Sequence, residues 1–197
     1  FVVLPVCFVA AVVVAGLRER RIKEALREQK LVLGLLVLGI VPVFLAGPRS
    51  VLGYYDSVVS LDLSPLPILQ WMGADGMLLL YSSGWVLVPG ALLGFALALW
   101  KPRSRAEFGF AAFSSLVALA VVFEAALYAA NGADRIQERY FFAVLPLIGV
   151  LFALYATRGF PHRVPHALIA GAALALSARV PLSGFSAADG KSNSPLL

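Results

Sequence analysis

The sequence predicts an all-α protein, a polytopic bundle of about six membrane-spanning helices with one longer loop on the outer side. Three observations predict it. Apolar residues make up 60% of the 197 and charged residues only 14%, where a soluble domain has about 45–50% and about 25%; mean hydropathy is +0.88. The apolar residues fall in runs close to the roughly 20 that a spanning helix needs. The basic residues fall between those runs. No polar stretch is long enough to form a soluble domain, so residues 1–197 read as a single transmembrane domain.

The first predicted span covers residues 1–17 and stops at Arg18-Glu19-Arg20-Arg21-Ile22-Lys23. A charged, helix-compatible segment continues from there to Lys30. The second span is 31–47, with Pro42 inside it, which neighbouring helices can tolerate in a bilayer. The longest loop, 48–74, holds Tyr54, Tyr55, Asp56, Asp62, Pro65, Pro67 and Trp71. Its aromatic residues suit headgroup depth, so it is expected to lie on the membrane surface. The third span is 75–99, closed by Trp100-Lys101-Pro102, and the fourth is 108–130, closed by Asn131-Gly132. The fifth is 140–157, stopped by Arg158-Gly159-Phe160-Pro161; the sixth is 166–183, before a polar tail.

The charge pattern sets the orientation. Net charge is +5, and no basic helix or aromatic platform points to nucleic acid. Loops 18–30, 101–107 and 158–166 carry Arg18, Arg20, Arg21, Lys23, Arg27, Lys30, Lys101, Arg103, Arg105, Arg158 and Arg163. The opposite side carries only Arg49, Arg135, Arg139, Arg179 and Lys191. Basic loops stay in the cytoplasm, so the first set is assigned there. Both termini, 48–74 and 131–139 are assigned outward, and the membrane expected is a bacterial plasma membrane. Gly90-Ala91-Leu92-Leu93-Gly94 is a pair of small residues four apart, expected to pack helices within one bundle, with a dimer face as the other use. The single cysteine, Cys7, has no disulfide partner in the chain.

Ionisable groups inside apolar spans are costly and usually face a cavity or a partner. Glu124 lies in the fourth span, with Tyr128, Asn131 and Arg135 at +4, +7 and +11 on one helical face. Arg179 lies at similar depth in the sixth. The two are expected to pair, as packing or as ligand contacts, or to line one outward cavity. Arg135 and Arg139 are four apart at the mouth of the fifth span. Their guanidinium forks suit a lipid phosphate or pyrophosphate; interfacial anchoring with Asp134 and Glu138 is the other reading. Asp56 and Asp62 are candidates for acid–base work or a divalent metal, but they fit no spacing rule and read rather as solvated loop carboxylates. His162 and His166 have no third ligand near them, so no metal site is expected.

The run Glu138-Arg139-Tyr140-Phe141-Phe142-Ala143-Val144-Leu145-Pro146-Leu147 resembles the late-span motif of polytopic membrane glycosyltransferases of the GT-C fold. The likeness is to actinobacterial members related to dolichyl-phosphate-mannose protein mannosyltransferases. Pro102-Arg103-Ser104-Arg105-Ala106-Glu107 and Arg179-Val180-Pro181-Leu182-Ser183 are similar to the surrounding pattern, so the resemblance covers 75–197. It implies transfer of a sugar from a polyprenyl-phosphate donor to an acceptor on the outer face. It implies that Arg139 helps hold the carrier phosphate, with Tyr140 the aromatic beside it, and the membrane lipid and the lipid-linked sugar are the implied partners. The family's catalytic acid lies in a first outer loop that has no counterpart here. The chain is therefore expected to be a C-terminal portion, with its catalytic acid upstream of Phe1 and no activity alone; no cofactor is implied, and a divalent metal stays open. Two other classes remain: a transporter or half-transporter using Glu124 and Arg179 along a substrate path, and a non-catalytic membrane assembly protein.

Overall fold

The structure, a computed structural model, describes residues 3–46, 63–133 and 138–179. All regular structure among them is helical. In chain order the helices are α1 (Val3–Arg18), α2 (Ile22–Glu28), α3 (Lys30–Ala46), α4 (Pro65–Ser83), α5 (Leu87–Trp100), α6 (Arg105–Tyr128), α7 (Leu145–Ala156) and α8 (Arg163–Ser177). A π-helical turn, Ala129–Ala133, extends α6, and a 3-10 turn, Glu138–Ala143, leads into α7.

The long helix α6 is the centre of the bundle. Its start is a capping box: Ser104 Oγ accepts from the Glu107 N–H at 3.1 Å, and Glu107 Oε2 accepts from the Arg103 N–H at 2.6 Å. On one side α1 packs along it, burying Cys7 and Ala11 and setting Phe8 edge-on to Phe113 at 6.5 Å. On the other side α4 packs against its C-terminal half. α5 and α7 form the closest helix pair, and Gly94 explains the approach. A Cβ there would sit 2.0 Å from the Leu151 carbonyl oxygen, so only glycine lets the two backbones meet. Gly90 faces Phe152 and Tyr155 of the same helix. The small-residue pair thus packs helices inside the chain.

Many large apolar side chains point outward, and many of the most deeply buried residues are small. Ala98, Ala111 and Ala126 are fully buried, whereas Leu31, Leu45, Leu119 and Leu168 are well exposed. Helix α3 is the extreme case. It is apolar throughout after Lys30, its main contact is α2, and Leu45 is 83% exposed. A helix apolar all round belongs in a core or a bilayer. By length and composition one described helix, Arg105–Asn131, can cross a membrane. A second crossing is present if α4 and α5, which meet at 108°, form one broken span.

The three basic segments gather at one end, as their sequence pattern predicts. Arg105 pairs with Glu19 at 3.1 Å and with Glu28 at 2.9 Å. Arg18 donates to the Leu99 carbonyl, and its guanidinium lies 4.4 Å from the Phe108 ring centre. Arg158 pairs with Glu107 at 2.5 Å and also donates to the Lys101 carbonyl at 3.0 Å.

Several expectations need correction. The third span is not one helix over 75–99: α4 already begins at Pro65, ten residues inside the expected loop 48–74, and breaks from α5 at Gly84, whose φ is +84°. Pro65 at the first helical position favours the early start. The fifth span is not one α-helix over 140–157, because Arg139 and Tyr140 lie in the 3-10 turn and α7 starts only at Leu145, where Pro146 sits in the first turn. The π-helical turn shifts the register of α6 at Ala129, so the +7 spacing no longer puts Asn131 on the face of Glu124 and Tyr128. Arg179 is not inside a sixth span: α8 ends at Ser177, tightened by an Arg179 N–H to Leu176 carbonyl bond of 3.0 Å.

Candidate functional site

The end opposite the basic cluster is where the structure concentrates unusual polar groups. α4 packs there against the last turns of α6, the π-helical turn and, through Tyr140 and Phe141, the 3-10 turn. Leu78, Ala125 and Phe141 are buried together, with Trp71, Leu79, Val122 and Tyr140 packed around them. The elbow between α4 and α5 is fixed to the end of α8. Tyr81 donates its hydroxyl proton to the Ser177 carbonyl at 3.1 Å, and Trp85 Nε1 donates to Ser177 Oγ at 3.3 Å.

Asp75 sits in the middle of this arrangement. It lies one helical turn from Trp71 on one side and from Leu78 and Leu79 on the other, hence on the face of α4 that closes on α6. It is 1% exposed. Neither Oδ1 nor Oδ2 has a hydrogen-bond partner among the described residues. Burying a carboxylate without a partner costs several kcal/mol, about the size of a strong mutational effect. The sequence reading missed this residue. Its signal was present: a single acid in an apolar helix, spaced four after Trp71 and three and four before Leu78 and Leu79.

The residues named from sequence are placed as follows. Glu124 is half-buried beside Ala125, so it lies next to the α4 contact, and it forms no ion pair among the described residues. Arg179 is exposed beyond α8 and does not pair with it. Tyr128 and Tyr140 are half-buried, and Asn131 Nδ2 donates to the Leu127 carbonyl at 2.9 Å. Arg139 is the second residue of the 3-10 turn, immediately before Tyr140; of it only the backbone is described. Arg135, Asp56 and Asp62 lie outside the described residues. His162 and His166 belong to the basic end, where His166 Nδ1 meets the Tyr155 hydroxyl at 3.2 Å. Among the described residues no group of three or more His, Cys, Asp or Glu comes together.

A separate groove of about 620 Å³ runs between α1, α2 and α6, lined by Phe8, Ala11, Val12, Gly109 and Phe113 with Arg105 and Glu28 at its mouth. Its charged groups are already paired with each other, which leaves it no evident chemistry.

Comparison with known proteins returns no match among family models, curated proteins or solved structures. The chemistry of this chain therefore rests on its own residues.

Proposed function

We propose that this chain is the membrane part of a GT-C-like glycosyltransferase, which holds a polyprenyl-phosphate-linked sugar at the end of the bundle where Asp75, Glu124, Arg139 and Tyr140 lie. In this reading the chain crosses the bilayer about six times, through α1, α3, the broken pair α4–α5, α6, the 3-10 turn with α7, and α8. The outward Leu and Val side chains and the buried Ala, Gly and Ser residues support membrane embedding, because helices in lipid pack through small residues. The gathering of loops 18–30, 101–107 and 158–166 supports a cytoplasmic basic end. The opposite end then faces outward.

The observation that carries the functional reading is the pairing of Tyr140 with the α4 contact. It sets Tyr140, the aromatic of the motif, against the helix that carries the buried Asp75, at the end assigned to the outer leaflet. A guanidinium at the lipid–water boundary binds a phosphodiester oxygen and stabilises the phosphate that leaves when the sugar is transferred. Binding of a polyprenyl-phosphate hexose to the chain in nanodiscs tests it. Arg139→Ala should weaken binding about ten-fold or more, the loss of a charge-assisted hydrogen bond; unchanged binding would sink the reading.

The broken helix at Gly84 with a buried acid on one arm also fits a transporter, where discontinuous helices frame the substrate site. That reading predicts solute- or proton-coupled uptake by reconstituted vesicles that Asp75→Asn abolishes.

A further inference from the structure

We propose that Asp75 is a ligand-binding carboxylate, and that the groups it binds are hydroxyls of the sugar carried by the lipid phosphate. This rests on the reading of the outward end as a lipid-linked sugar site. It assigns the sugar half of the ligand to α4, where the Arg139-Tyr140 motif concerns only the phosphate half.

The case starts from what Asp75 lacks. The other buried acid of the described residues, Glu107, has two partners: Arg158 and the Arg103 N–H. Asp75 has none, though it is more deeply buried. Native proteins keep very few buried polar atoms unsatisfied, and those they keep call for an explanation. Helix packing does not provide one. Trp71, Leu78 and Leu79 already join α4 to Val122, Ala125 and Phe141, and a leucine at position 75 would fill the same space without losing a hydrogen bond. A carboxylate kept at such a cost is expected where it binds something.

What it binds follows from its chemistry and surroundings. A carboxyl group offers two oxygens for hydrogen bonding, and vicinal hydroxyls of a pyranose match that pair. The aromatic rings of Trp71 and Tyr140 border the same contact and supply the apolar faces on which sugar rings rest. The geometry also gives a way in. α4 leaves α5 at 108° through Gly84, a residue at φ +84° that glycine alone adopts without strain. The elbow end of α4 is tied to Ser177 by Tyr81 and Trp85, and Met77 Sδ accepts from Ser177 Oγ at 3.6 Å; toward α6 the 71–79 stretch packs Trp71, Leu78 and Leu79 against Val122 and Ala125. Lifting that stretch about the elbow uncovers Asp75 and breaks no described hydrogen bond to it.

The test compares two probes on the chain in nanodiscs: a polyprenyl phosphate, and the same lipid carrying one hexose. Wild type should bind the hexose-bearing lipid more tightly. Asp75→Asn and Asp75→Leu should remove that preference, a loss of about ten-fold or more, and leave the bare phosphate lipid bound as before. Asp75→Leu should also raise Tm, which shows that the variant is folded. Survival of the preference in both variants would overturn the proposal, and so would a lowered Tm in Asp75→Leu, since it would mean that the carboxylate has a structural partner. A loss of binding to both lipids alike would equally overturn it. If wild type binds neither lipid, the glycosyltransferase reading itself fails; if it binds both equally, only the role of Asp75 fails.

Discussion

At the basic end of the bundle a buried acid is met by a guanidinium; at the other end a buried acid has no partner among the described residues. Arg158 and Glu107 are 9% and 8% exposed, 2.5 Å apart, and share further bonds with the Lys101 carbonyl and the Arg103 N–H. Asp75 is 1% exposed and has no partner among the described residues. The first arrangement ties the loop before α6 to the end of α7, and Arg105 with Glu19 and Glu28 brings the third basic segment to the same place. The second ties nothing. Where charges are mutually satisfied, their removal exposes an unpaired partner and destabilises the fold; where a charge is unsatisfied, its removal relieves the fold. The difference separates a region built for stability from one that keeps a cost for another purpose.

The comparison can be broken or sharpened by substitution. The largest effect is expected at Gly94, which allows both arrangements by letting α5 meet α7. Gly94→Leu forces a side chain into the Leu151 carbonyl and should prevent recovery of a monodisperse protein in detergent. Folded protein at wild-type yield would show that the two backbones do not approach as described. Next is the clamp itself. Arg158→Ala leaves the Glu107 carboxylate with only the Arg103 N–H and should destabilise the protein by about 1.5–3 kcal/mol in an unfolding titration. A value below about 1 kcal/mol would place the pair among surface ion pairs. Ser104→Ala removes the cap of α6 and should cost about 1 kcal/mol by the same measurement. The smallest effect belongs to Arg21 and Glu24, whose side chains are 68% and 64% exposed. Glu24→Gln should change stability by less than about 1 kcal/mol, and that little should vanish in high salt.

How much of this was legible in the sequence differs between the same two ends. The basic end was readable, because the placement of Lys and Arg in loops 18–30, 101–107 and 158–166 reports directly on which segments share a side. Even its capping box is written as Ser104-Arg105-Ala106-Glu107. The opposite end was less readable. Hydropathy averages over a window, so Gly84 did not register between two apolar runs, and α4 and α5 merged into one expected span. The same averaging carried the fifth span across the 3-10 turn and the sixth past Ser177, which put Arg179 at a depth it does not have. Glu124 was noticed because it stands in the middle of an apolar run. Asp75 was passed over because it stands at the start of one, although only the fold shows that α4 lays that position against α6. A single sequence gives the spacing of a residue along its own helix and nothing about the helix that covers it.

The most direct measurement is the thermal stability of Asp75→Leu and Glu107→Leu, recorded side by side in one detergent. The two changes remove the same kind of group, a carboxyl, and install the same side chain. The account predicts opposite signs: Tm rises for Asp75→Leu, where nothing is lost but an unpartnered carboxyl, and falls for Glu107→Leu, where Arg158 loses its carboxylate and keeps only the Lys101 carbonyl. A fall of similar size in both variants would contradict it, because Asp75 would then be as firmly partnered as Glu107 and the two ends of the molecule would not differ.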